Sequence, residues 1–249
     1  MTTYLDFDID GLEPADDQTE DQWRDTWGSD YQLLARHDIG ERTFVVAFDS
    51  SATWREARNL PNIATFDVQR DQAQGTFTMD SSAHANVAFA QKWLVDRGCP
   101  PEATRVHNPF KPADDLTTRV EEQIHRSGDR YALIEVMAAD ENPDQAWTMA
   151  TDKQATELPV RVFVEQTQPG QGTYTVREGA FADYTAAEDW QEEQDTPLPE
   201  PPEYHRNALR TRAALARSTT APAAVTVAAV LASAPAAAAV AQPDRGRSL

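Results

Sequence analysis

Gln74-Gly75-Thr76-Phe77-Thr78 leads through a polar link to Trp93, and Gln171-Gly172-Thr173-Tyr174-Thr175 leads the same way to Trp190. The Gly-to-Trp distance is 18 residues in both copies, and 8 of the 20 columns from Gln to Trp are identical. Three of those identities are alanines in an alanine-rich chain, so the substitutions carry more weight. Phe77 stands against Tyr174, and Met79 against Val176.

The match extends upstream in kind. Leu60-Pro61 precedes one apolar strand pattern at 65–68, and Leu158-Pro159 precedes another at 161–164. Gly40-Glu41-Arg42 opens the apolar run 44–48, and Gly128-Asp129-Arg130 opens the run 132–137. A repeat of roughly 90 residues is too long for a solenoid and fits a duplicated half. The sequence therefore predicts an α+β protein of two related halves. Each is an antiparallel β-hairpin or sheet with packed helices, and an Ala/Pro-rich C-terminal tail, expected to be disordered, follows them. The expected divisions are a first half over 1–98, a Pro-rich linker over 99–112, a second half over 113–194, and a Pro-rich hinge with tail over 195–249.

Residues 4–10 alternate apolar and acidic, the period of a half-buried strand. Trp23, Trp27, Tyr31 and Leu34 form a stripe that predicts a helix over 20–35. The runs 43–48 and 131–137 read as central strands covered on both faces. Hairpins are expected at 65–80 and 160–177, the first with a Gly at positive φ. Helices are expected over 83–97 and 115–127, and a last one near Trp190 opens with a Thr185/Glu188 capping box. Residues 146–151 look like an extra strand that the first half lacks.

Net charge is −19 over 249 residues, unevenly placed. Residues 205–249 hold six Arg and one Asp, or +5, so the preceding 204 residues carry −24 from 16 basic and 40 acidic side chains. Such a body repels nucleic acid and anionic membrane and favours cationic partners. One cysteine excludes an internal disulfide framework and any Cys-based zinc site. The acidic first residues lack the apolar stretch of a secretory signal, so the expected compartment is the cytoplasm. The 25 uncharged residues of 218–242 are long enough to span a membrane, but they are mostly Ala and are broken by Pro222 and Pro235. Membrane contact is thus expected at most through this tail.

Asp6, Asp8 and Asp10 before Gly11 resemble the opening of a calcium loop, but position 12 is Asp17, where that loop needs a bidentate Glu. They are weak metal candidates; a solvated strand face explains them. Five histidines show no ligand spacing with one another or with Cys99. No phosphate loop, dinucleotide fingerprint or nucleophile elbow is present, so no cofactor is expected. Glu135 lies inside an otherwise apolar strand and is the one weak catalytic candidate, although a sheet edge or an Arg such as Arg161 would account for it. Phe77, Trp93, Tyr174 and Trp190 read as repeated core positions.

The leading functional expectation is a non-catalytic acidic protein that binds a basic protein partner, of immunity, inhibitor, adaptor or nucleic-acid-mimic type. The alternative is a carboxylate-dependent hydrolase, for example of carbohydrate, with its site between the halves.

Overall fold

A computed structural model describes residues 5–27, 30–53, 61–106, 108, 110–139, 142, 144–204 and 210, without the side chains of 52 and 53. Two five-stranded sheets are built from consecutive halves of the chain. The first half runs β1 (Glu13–Pro14), α1 (Asp17–Asp25), β2 (Tyr31–Ile39), β3 (Arg42–Asp49), β4 (Ile63–Asp71), β5 (Thr76–His84) and α2 (Val87–Asp96). The second runs β6 (Lys111–Pro112), α3 (Asp115–His125), β7 (Tyr131–Ala138), β8 (Gln145–Asp152), β9 (Val160–Gln168), β10 (Thr173–Phe181) and α4 (Tyr184–Glu193). The strand orders are β1-β5-β4-β3-β2 and β6-β10-β9-β8-β7. The halves are therefore the same fold twice, with a sheet each. Both sheets lie within one unit of the chain, residues 1–205.

The repeat holds at the level of single contacts. Glu13-Pro14 pairs in parallel with Thr76-Phe77, as Lys111-Pro112 does with Thr173-Tyr174. Asp16 and Asp114 cap α1 and α3 by accepting the amides of Thr19 and Thr117, which satisfies one of the orphan donors of each first turn. The two threonine hydroxyls in turn accept the amides of Met79 and Val176. Gly75 and Gly172 both take positive φ, at 69° and 64°, where a side chain would be strained. Tyr31 meets Phe66 edge-on at 5.3 Å, and Tyr131 meets Phe163 at 5.1 Å. Even the bulges recur, between Leu33 and Ala35 and between Leu133 and Glu135.

That register corrects several expectations. The stripe from Trp23 does not continue as one helix: α1 stops at Asp25, and Tyr31 and Leu34 lie in strand β2. The i, i+4 spacing of Trp27 and Tyr31 is coincidental across two elements. As a result, 131–137 matches β2 and is the edge strand β7, not a central strand. Residues 146–151 are not extra; they lie in β8, the counterpart of β3. Residues 5–12 are not a strand either. Phe7 is buried there, with Leu5 and Ile9 packed at its sides, because the segment folds onto the sheet and not into it. The last helix is capped by Asp183, not by Thr185. The linker 99–112 holds a helical turn at Pro101–Thr104 and ends in β6 of the second sheet.

Helices cover both faces of each sheet. α1 lies on the first sheet over Phe66, Val68, Phe77 and Met79, and α2 on its other face over Phe44 and Val46. α2 also joins the halves. Its Ala88 and Phe89 face α3 and the second sheet, where Phe89 packs on Phe163 at 5.1 Å. Phe7 does the same on the equivalent Phe66, at 5.3 Å. The N-terminal segment thus fills in the first half the place that α2 fills in the second.

The proline-rich stretch after α4, expected to end the folded body, is part of it. The amide of Ala180 donates to Pro199, and Leu198 packs over Gly179. Glu203 accepts from Arg161 at 2.7 Å, and the Tyr204 hydroxyl donates to Glu178 at 2.6 Å. The tail beyond 210, with the disorder expected of it, lies outside the described residues. Among the described residues no helix is long and apolar enough to cross a membrane.

Candidate functional site

Between the halves lies a cavity of about 320 Å³ with mostly apolar walls. The first half contributes Leu34, Phe48 and Ile63 among others; the second contributes Phe110, Tyr174 and Glu165. Glu165 is on β9, two residues from Phe163, and strand alternation turns both to the face under α2 and α3. Its partial exposure comes from the cavity. Deep burial, reinforced by nearby Glu121, pushes its carboxyl up to about 8. It has no hydrogen-bond or ion-pair partner among the described residues. Tyr174, on β10, donates its hydroxyl to Glu121 of α3 at 2.5 Å. Burial raises the pKa of both of these groups as well.

The first half supplies the control. β4 pairs Val68 with Met79 as β9 pairs Glu165 with Val176, so Glu165 occupies the position of Val68. Counting from the caps, Glu121 occupies the position of Trp23. Tyr174 occupies that of Phe77. In the first half the three are apolar: Val68 and Phe77 are buried, and Trp23 meets Phe77 edge-on at 6.3 Å. The same three places in the second half carry two carboxyls and a phenol.

The candidates read from sequence are not brought into this site. Glu135 sits half-buried at the bulge of edge strand β7 and faces Tyr184. Arg161 is not its partner; it binds Asp152 at 3.0 Å and Glu203 at 2.7 Å, with Glu178 at 3.6 Å. Asp8 pairs with Arg36, and Asp6 accepts the amide of Asp8, so the carboxylates of 6, 8 and 10 do not converge. Among the described residues no group of three or more His, Cys, Asp or Glu is placed to hold a metal ion. Cys99 is buried against Phe44 and Leu94, and burial pushes its thiol up to about 11, which leaves it un-ionised. His84 is buried beside Thr65 and held neutral, its pKa pushed down to about 3. His107 and His205 lie outside the described residues. Of the paired aromatics, Phe77 is core, whereas Tyr174 also faces the cavity.

No protein-family model matches the chain, and no curated protein or solved structure matches it at a significant level. The repeat is therefore the only internal reference for judging which positions have diverged. The signal for Glu165 was in the sequence, as the one acid in Val160-Arg161-Val162-Phe163-Val164-Glu165, opposite Val68 once the halves are aligned.

Proposed function

We propose that the chain is a non-catalytic interaction protein whose acidic body binds a basic protein partner. An immunity, inhibitor or adaptor protein would act in this way, and so would a mimic of nucleic acid. The supporting observation is the −24 carried by residues 1–204. That figure is already net of the body's 16 basic side chains, and ten of these pair with its own carboxylates, so few cations stand apart from acids on its surface. A surface of one sign steers an oppositely charged protein and repels polyanions. The same reading takes the protein to be cytoplasmic, in keeping with a single buried thiol.

The test is capture of partners from native lysate on the full-length chain at low and at high salt. A basic protein held at low salt and released at high salt is the expected result. Capture that ignores salt, or an empty capture, overturns the proposal. A second reading, a carboxylate-dependent hydrolase, is favoured by the inter-half cavity with Glu165 and Asp144 in its walls. It requires turnover of a glycoside panel that Glu165→Gln abolishes; no turnover by the wild type removes it.

A further inference from the structure

We infer that the cavity between the halves is a binding site for a small organic amine, held as its ammonium by Glu165. The inference does not depend on the surface charge. It rests first on the comparison the protein makes with itself. A carboxylate on the buried face of a sheet is destabilising unless something pairs with it. The first half avoids that cost with Val68, and the second accepts it at Glu165. Among the described residues, the neighbours of Glu165 do not relieve it. Glu121 adds like charge, and the Tyr174 proton is committed to Glu121.

The walls then select the ligand. Their acids are Glu165 and Asp144, and no Lys, Arg or His is among the described lining residues. Among the described residues, then, the walls hold no cation with which an ionised Glu165 could pair, and a ligand can bring one. An anion would meet two carboxyls and no cation. A divalent metal wants several charged oxygen ligands drawn together, and among the described residues no group of three or more acids, histidines or cysteines is placed to hold one. A neutral apolar ligand would fill the space but leave Glu165 unpaired. An ammonium with an apolar body satisfies both requirements. The aromatic rings of Phe48, Phe110 and Tyr174 line the same space, and ring faces attract cations. The Tyr174 oxygen keeps lone pairs free to accept an ammonium hydrogen. At about 320 Å³ the cavity is at the small end of the roughly 300–1,000 Å³ range of ligand pockets, which suits a monoamine. Glu165 is protonated in the empty cavity near neutral pH, because burial raises it to about 8. Amine binding would therefore release its proton as the ion pair forms.

The experiment is calorimetry of the full-length protein with benzylammonium, cyclohexylammonium and butylammonium, beside benzyl alcohol and benzoate. We expect at least one amine to bind at one site per chain, in moderate salt. The matched alcohol and carboxylate should bind at least tenfold more weakly. Glu165→Gln should weaken the amine at least tenfold. Glu165→Val, which installs the first-half residue, should abolish amine binding while circular dichroism shows the fold intact. Equal amine binding by a folded Glu165→Gln overturns the inference, as does equal binding of benzyl alcohol to the wild type. Amine uptake at many sites that vanishes with salt assigns the binding to the surface and also overturns it. So does a failure of all three amines to bind.

Discussion

Val68 and Glu165 occupy one position of a sheet built twice, and the exchange alters how stability responds to pH. A carboxyl raised from 4.5 to about 8 holds a proton in the folded state that the unfolded chain has lost. Between those values the folded state binds more protons, so stability falls as pH rises from about 4.5 to 8 and levels off above. Glu165→Val should remove this slope and make the protein more stable at pH 8, by roughly 4 kcal/mol, while changing little at pH 4. Urea titrations of both proteins at the two pH values measure it; parallel pH profiles would refute it. Asp114 works in the opposite sense. The Thr117 amide and Arg177 hold it down to about 2, so its contribution is present above the usual carboxylate range and is lost as pH falls through 2. A different residue-scale constraint acts at Gly179. A Cβ there would lie 2.4 Å from the Leu198 side chain. Gly179→Ala should displace the segment over it and destabilise the protein by roughly 1–3 kcal/mol, the range for overpacking. Faster proteolysis within 195–204 is the measurable sign.

At the scale of elements, α2 is the helix that both halves use, and its first turn depends on Asn86, whose side chain accepts the Phe89 amide at 2.9 Å. Asn86→Ala should cost about 1 kcal/mol, up to 2, while Asn86→Ser should restore most of it. Equilibrium unfolding of the two variants checks this. The elements also show which parts of the fold the sequence carried. Hairpin β4–β5 and its repeat β9–β10 were readable because a Gly at positive φ, alternating side chains and a following helix all agree. The short strands β1 and β6 were not readable. Two residues carry no periodicity, and their pairing partners lie some sixty residues away in sequence. The boundary of α1 is hidden in the sequence because Trp27 and Tyr31 continue a helical spacing across a change of element, and a helix drawn through to Ala35 displaces the upstream alignment of the halves by one strand. Once shifted, β8 has no counterpart and β7 takes the place of β3. Glu165 is inconspicuous in the sequence for a related reason. An acid in an apolar strand is ambiguous alone, and it becomes informative only when Val68 stands beside it. Glu135 attracted notice on the same grounds, yet it is an edge-strand residue at a bulge.

For the whole molecule, the two halves are joined head to tail. The α2 of one packs on the α3 of the next, and such a joint could in principle be repeated without end. The chain stops it at α4. Val87, Ala88 and Phe89 of α2 correspond to Tyr184, Thr185 and Ala186, so the apolar anchor Phe89 has no equivalent on α4. Phe89→Ala should cost roughly 3–5 kcal/mol, because the buried ring packs edge-on against both Tyr131 and Phe163. It should also separate the unfolding of the halves, so that one cooperative melt becomes two; a single unshifted transition in calorimetry would show that the joint does not couple them. A further consequence belongs to the order in which the chain is made. The second sheet is complete at Phe181, but Arg161 waits for Glu203 and Glu178 waits for Tyr204. During synthesis Arg161 has Asp152 and Glu178 beside it, and Glu178 has Gln123, but each lacks one of its hydrogen-bond partners until those last residues emerge. Once residues up to 181 have left the ribosome and 195–204 have not, the half can form its sheet while the face that Leu198, Glu203 and Tyr204 later cover stays open, an interval in which a nascent domain is exposed to misassembly.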